Sequence, residues 1–446
     1  MPSSIEIEKL HLKEKYEKID LSKITENDIG KTIETFGWVE TCRAGKKITF
    51  IVLSCQFKEV TLVYEKKIDL TKCTSIIVFG KVKKSQSNKK DEKFEILVDE
   101  IKIYNNTLAP SFPLNNESSF DSWIKYGHLA YRTKKRAFFL KARSTLLKII
   151  RDIYYETEHI EVTTPTIVQT QVEGGSTLFS LKYYEKEAYL TQSSQLYLET
   201  VAPVAYRTYC IMPSYRAEKS NTTRHLSEYT HVEAELANIN FDDLLKNIEY
   251  LVSETIKRFY DVLGNEIKKI HPEIELLKVP KTPFKRIRYQ DAIKFLNDIN
   301  VKKDDGTDFI IGDDIPDSRE KILCEKFGKG EPVFLTNFLV EHKPFYMKID
   351  ETDHTCTESV DLLYPGIGEI LGGSMRLDNY EGLMEGFKRE GIDCSVYKWY
   401  LDMARYGPCM HGGYGLGFER LLMALMKYTN IEFCTLYPRN TKRCQP

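Results

Sequence analysis

The chain has 446 residues, 42% of them hydrophobic and 29% charged, with a formal net charge of -1, enough for a small and a large domain with ordinary cores. No stretch approaches the ~20 apolar residues that cross a bilayer, and the start, Met1 to Leu10, lacks the apolar centre of a secretory signal. The balanced charge does not advertise a nucleic-acid binder, although a polyanion needs only a local basic stripe.

Residues 1–29 carry a Lys/Glu pattern that fits either a short helix or disorder. From 30 to 106 the chain reads as β structure. Segments 32–42, 47–54, 59–64, 75–82 and 94–104 are rich in Ile, Val, Thr, Phe and Tyr and are separated by short polar turns. Five short strands point to a small barrel. The OB-fold is the economical choice, with an SH3-like barrel or a sandwich edge as alternatives. Lys81, Lys83, Lys84, Lys89, Lys90 and Lys93 form a lysine-rich loop that is either solvated or in contact with phosphate.

Residues 107–135, with Pro110, Pro113, Asn115, Asn116, Ser118 and Ser119, read as a hinge or linker. A helix follows, with Leu140, Leu147, Ile150 and Tyr154 on one face. Beyond it, helical stretches (242–264, 287–299) alternate with strand-like ones (205–213, 359–364). No parallel βαβ rhythm or internal repeat appears. Residues 136–446 therefore read as an α+β domain on an antiparallel sheet flanked by helices. The ten cysteines are scattered, without C-x-x-C spacing, and read as reduced thiols. Asn221-Thr222-Thr223 matches a glycosylation acceptor that should stay bare in a cytosolic chain.

There is no Walker A sequence and no G-x-G-x-x-G between a strand and a helix, so any nucleotide must be held by side chains. Segment 214–235, SYRAEKSNTTRHLSEYTHVEAE, reads as a hairpin that could bring Arg216, Arg224 and Tyr229 to one spot. Arg holds phosphate oxygens in bidentate fashion and Tyr offers a stacking surface; an exposed charged hairpin is the alternative. In 366–376, GIGEILGGSMR, Glu369 and Arg376 bracket a glycine pair, and Glu358 and Asp361 lie upstream as further carboxylates for Mg²⁺. In 411–420, HGGYGLGFER, glycines 412, 413, 415 and 417 imply a strand crowded by ligand or by another backbone. Arg420 should open the helix that follows.

Together and in this order, these segments resemble the signature motifs of class II aminoacyl-tRNA synthetases. Residues 160–166 with Pro165 look like motif 1, 214–235 like motif 2 and 411–426 like motif 3; the class I signatures are absent. The barrel, with GWV at 37–39, resembles the anticodon-binding domain of the aspartyl, asparaginyl and lysyl subclass. The resemblance implies ATP and Mg²⁺ as cofactors, an aminoacyl-adenylate without a covalent enzyme intermediate, and a cytoplasmic homodimer joined through motif 1 around Pro165. By similarity Arg216 holds the α-phosphate, Arg224 and His225 hold the distal ones, and Glu218 is the second polar group of motif 2. Tyr229 and Arg420 sandwich adenine beside Gly417, and Glu369 with Asp361 binds Mg²⁺. Gly372 stands where many subclass members have Ser.

For the amino acid, the resemblance implies that Glu173 takes the α-ammonium, Gln195 bonds nearby and Arg376 reaches the side-chain oxygen. Arg376→Ala is expected to abolish adenylate formation while leaving the fold intact. In QSSQLYLE, residues 192–199, Leu198 stands where aspartyl enzymes have Lys, and Glu233 could accept from a side-chain amide. Segments 166–179, 191–200 and 366–376 together resemble the eukaryotic cytosolic asparaginyl enzymes, so the implied substrates are L-asparagine and tRNA(Asn). An aspartyl enzyme, a tRNA-binding protein on a decayed scaffold and an asparagine synthetase are the rivals. In the barrel, Phe50 matches the aromatic that stacks on an anticodon base, and Arg43 and Glu95 match polar anticodon contacts.

Overall fold

The computed structural model describes residues 15–86, 93–105, 111–115, 117–174, 177–219 and 222–446. Lys89 and Lys90 of the lysine loop, Asn116, the acceptor Asn221, and residues 1–14 of the N-terminal segment lie outside them. The chain divides into two compact units, Met1–Leu140 and Lys141–Pro446.

The first unit is a barrel of β1 (Thr32–Ala44), β2 (Thr49–Cys55), β3 (Lys58–Tyr64), β4 (Ser75–Lys84) and β5 (Phe94–Asn105). The strands run β1-β2-β3-β5-β4 and close back onto β1, with β3 and β5 parallel and the rest antiparallel. This is the OB-fold arrangement, and closure removes the sandwich-edge alternative. Period-two alternation sends Ile51, Leu53, Leu62, Ile76 and Val78 inward, where each is fully buried. A register shift between Val39 and Thr41 bends β1 from its β4 neighbour to β2.

The second unit is built on an eight-stranded sheet. Its strands are β6 (Ile160–Glu161), β7 (Arg207–Tyr215), β8 (Glu228–Ala237), β9 (Lys285–Arg288), β10 (Val333–Thr336), β11 (Ser359–Tyr364), β12 (Gly368–Met375) and β13 (His411–Gly417). The order is β9-β10-β11-β12-β13-β8-β7-β6. The five inner pairings are antiparallel, as expected, but the outermost pair at each edge is parallel. The flanking helices include α1 (Lys134–Glu156), α2 (Gln195–Ala205), α3 (Phe241–Ile270) and α4 (Phe418–Met426).

In α1 the buried stripe is Phe139, Ala142, Leu146, Ile149, Ile150, Ile153 and Tyr154. Leu140 and Leu147 fall on its flank, so the expected face is rotated by part of a turn. A capping box of Asn240 and Asp243 starts α3 and satisfies its first amides. The glycines of β13 are crowded, but chiefly by neighbouring strands: a Cβ on Gly413 would overlap the Glu235 carboxylate, and one on Gly415 would overlap the His231 ring. All ten cysteines are free.

Candidate active site

The hairpin read from 214–235 forms as β7 and β8. Ser214 lies opposite Tyr229 and Tyr215 opposite Glu228, and the Arg216 N–H donates to the Ser227 carbonyl at 2.9 Å. This puts the Arg216 guanidinium 5.6 Å from the centre of the Tyr229 ring. On its other edge β8 pairs with β13, His231 opposite Gly417, and α4 then carries Arg420 to the same place. Arg420 Nη1 donates to both the carbonyl and the carboxylate of Glu369, each at 2.9 Å. A single cleft of about 520 Å³ is lined by Arg216, Arg224, His225, Tyr229, Glu369, Gly417 and Arg420. Seven sequence-predicted residues from three chain segments therefore face one cavity.

The cleft is polarised by paired charges. Arg216 forms an ion pair with Glu173. Burial alone would raise the Glu369 carboxyl, but Arg420 and Arg216 outweigh it and hold it down at about 2. Burial pushes Asp361 up to about 6, and Lys343 Nζ stands 3.4 Å from it. Asp361 lies opposite Gly372 in the sheet; a Cβ on Gly372 would be 3.4 Å from Asp361 Oδ1 and 3.5 Å from Glu369 Oε1. The two carboxylates thus converge across the glycine. Among the described residues no three His, Cys, Asp or Glu side chains are grouped to hold a metal by themselves. The pair suits a cation that takes its other ligands from phosphate and water, as Mg²⁺ does. Glu358 pairs with a different cation, Lys348, at 3.4 Å. Glu218 is half-buried and acts on Arg216 and His225 through its charge. His225 is hydrogen-bonded to the Thr222 hydroxyl, and burial together with Arg420 lowers its pKa.

Beyond the cleft lies a buried polar cluster around Arg376. Its guanidinium pairs with Glu235, donates to Ser374 Oγ at 2.6 Å, lies 5.3 Å from the Tyr346 ring centre and comes within 3.9 Å of Glu199. Glu199 accepts from Gln195 Nε2 at 2.9 Å, Tyr400 at 2.7 Å and His411 Nε2 at 3.0 Å. His411 Nδ1 faces the Cys409 carbonyl at 2.8 Å, so both ring nitrogens meet acceptors. Burial opposes an imidazolium there, but Glu199 prevails and raises the His411 pKa. Burial pushes Glu235 up to about 7 against the pull of Arg376. Leu198 is fully buried in the same turn of α2.

Glu233 is placed differently from the sequence expectation. Its carboxylate accepts from the Ser193 hydroxyl and from the Ser194 N–H at 2.9 and 3.1 Å, so it holds the start of α2. Glu235, Glu199, His411 and Tyr400 are the buried groups that sequence reasoning gave no role or only a passing mention; their partners lie far away in the chain. Gln192 was missed too: its Oε1 accepts the N–H groups of Val172 and Glu173 at 2.9 and 3.0 Å and pins the loop that carries Glu173. Gly175 and Ser176 of that loop lie outside the described residues.

In the barrel, Arg43 lies opposite Phe50 in neighbouring strands. Phe50 is 49% exposed, so it is a surface aromatic and not barrel core. Glu95, on β5, accepts from Ser85 Oγ at 3.5 Å. Near Pro165, β6 forms the outer edge of the large sheet, and Ile160 there is exposed, as are Tyr155 and Val204.

Residues 119–441 match the family model described as tRNA synthetases class II (D, K and N). The chain is 72% identical over 442 residues, 99% of each sequence, to the probable cytoplasmic asparagine–tRNA ligase of Vairimorpha ceranae. It is 43% identical to the cytoplasmic asparagine–tRNA ligase of Saccharomyces cerevisiae, covering 94% of this chain and 77% of that one. The solved asparaginyl-tRNA synthetase of Entamoeba histolytica, in complex with asparaginyl-adenylate, is similar at a TM-score of 0.87 and 37% identity, over 97% of this chain and 99% of the other.

Proposed function

This chain belongs to the class II tRNA synthetases of the D, K and N group, and from that premise we propose how its residues divide the work of joining asparagine to tRNA. The activity is that of a cytoplasmic asparagine–tRNA ligase. Asparagine is activated with ATP to asparaginyl-adenylate and pyrophosphate, then transferred to the 3′ end of tRNA(Asn). The observation that carries the reading is the junction of two sites: a cleft with Arg216 and Arg420 on its walls, and a buried Arg376–Glu199 cluster beyond it.

The Glu173–Arg216 ion pair marks where a zwitterion and a phosphate meet. The α-ammonium of the amino acid takes Glu173, which frees Arg216 for the α-phosphate as the substrate carboxylate attacks it. Catalysis is then positioning plus charge neutralisation. Tyr229 and Arg420 hold the adenine ring between them, with Gly417 beside it, and Arg224 and His225 take the distal phosphates. Asp361 and Glu369 would hold Mg²⁺, which supplies positive charge to the phosphates.

Aspartate and asparagine differ little in size, so selection rests on charge and hydrogen-bond polarity. Arg376 donates to the side-chain carbonyl. Glu199, kept ionised by His411 and Arg376 against the cost of burial, accepts from the side-chain NH₂ and repels a carboxylate. Leu198 keeps a lysine out of the same turn. Phe50, Arg43 and Glu95 form the anticodon-contacting face of the barrel. The exposed apolar edge at Tyr155, Ile160 and Val204 supports a homodimer through the segment around Pro165.

ATP–pyrophosphate exchange with asparagine and aspartate side by side tests the reading; faster exchange with aspartate would overturn it. Arg376→Ala should abolish exchange. It should also cost stability, contrary to the expectation from sequence, because it strands a buried Glu235 carboxyl. The informative variant is therefore Arg376→Ala with Glu235→Gln, and near-normal exchange by it would remove Arg376 from the site.

A further inference from the structure

Arg224 leaves the loop after β7 with no strand to hold it, yet its guanidinium is anchored. Its Nη1 lies 2.9 Å from Asp317 Oδ1 and 3.1 Å from Glu320 Oε2, both on the short helix Asp317–Ile322. The same Glu320 oxygen accepts the backbone N–H of Glu369 at 3.0 Å. One carboxylate therefore ties the motif 2 arginine to the strand that carries the metal-side glutamate. Gly368 makes room for the junction. Its φ is +87°, and a Cβ there would stand 2.5 Å from Glu320 Oε2 and 2.7 Å from both Arg224 Nη1 and Asp317 Oδ1. Neither acid lines the cleft, whereas Arg224 and Glu369 do. Among the described residues only Nη1 of Arg224 is engaged, which leaves the other edge of its planar fork for phosphate oxygens.

We propose that Asp317 and Glu320 are positioning residues for ATP: they fix Arg224 by one nitrogen and Glu320 sets it relative to Glu369 before nucleotide arrives. A long arginine on a loop otherwise loses its rotamer freedom when it binds phosphate, and an anchor made beforehand removes that loss.

The inference rests on Arg224 being a distal-phosphate ligand, and the experiment separates the two. In pyrophosphate exchange, Glu320→Ala should raise the KM for ATP ~tenfold, the size expected for losing a charge-assisted hydrogen bond, with the KM for asparagine little changed and the melting temperature lowered by the unpaired Glu369 amide. Glu320→Gln, whose amide oxygen still accepts from both partners, should restore most of the loss. The double variant Arg224→Ala with Glu320→Ala should be no worse than Arg224→Ala alone. If Glu320→Ala shifts both KM values together, or if the two losses add in full, the positioning role is wrong. If Arg224→Ala leaves the KM for ATP unchanged, the phosphate role of Arg224 is what fails.

Discussion

At Gly372 the sheet leaves a gap between two carboxylates. A Cβ would meet Asp361 and Glu369 at ordinary contact distance, 3.4 and 3.5 Å, so a β-carbon fits without moving the strand. Gly372→Ser should leave the melting temperature unchanged and place a hydroxyl between the two carboxylates. We expect a lower Mg²⁺ concentration for half-maximal pyrophosphate exchange; an unchanged requirement would mean that the cation is not held there. Gly413 and Gly415 belong to another kind of position. Their missing side chains are replaced by Glu235 and His231 from β8; Glu235 pairs with Arg376 and His231 lines the cleft. The difference between a glycine facing ligand and one facing a neighbouring side chain is invisible in HGGYGLGFER, because the intruding residues come from a strand far upstream.

The element that carries Gln195, Leu198 and Glu199 is α2. It begins at Gln195, whose N–H is accepted by the Ser193 hydroxyl at 3.0 Å, and Glu233, from β8, accepts the preceding Ser194 N–H. Removing it leaves the Ser194 amide buried and unpaired, a loss of about 1–3 kcal/mol. Glu233→Ala should therefore lower the melting temperature while the preference for asparagine over aspartate stays as it was. A collapse of that preference at unchanged stability would return Glu233 to the substrate. The local and the tertiary partner act together: Ser193 Oγ accepts the Gln195 N–H and donates to the Glu233 carboxylate, which takes the Ser194 N–H as well.

At the scale of the molecule, burial outweighs ion pairing at three carboxyls of the second unit. Burial raises Glu235 and Glu320 to about 7 and Asp361 to about 6. In the folded state these groups hold protons that the unfolded chain releases near ~4. Stability should then fall as pH rises from that value through about 7. The raised imidazole of His411 acts in the same direction. Glu369, held at about 2, works oppositely: its contribution is present above the unfolded carboxylate value and is lost as pH falls through about 2. The nucleotide-free protein should melt at a higher temperature at pH 6 than at pH 8, and Glu320→Gln should flatten part of that slope. A melting temperature that is level or rising across this range would refute the account.

Much of this protein was determined by local chemistry. Period-two runs placed the five barrel strands within a few residues, and helical patterns placed α1 and α3 but not α2. The arginine-bearing segments 214–235 and 411–420 named the walls of the cleft. Those signals are legible because each depends on residues a few positions apart. Only the tertiary structure decided that Glu233 holds the start of α2, that Glu235 and Glu199 share Arg376, that Glu358 turns to Lys348, and that Asp317 and Glu320 anchor Arg224. Each of these is a charge pairing or hydrogen bond that satisfies a buried group. Which of many distant partners meets it depends on strand order and register, and no local spacing encodes that choice.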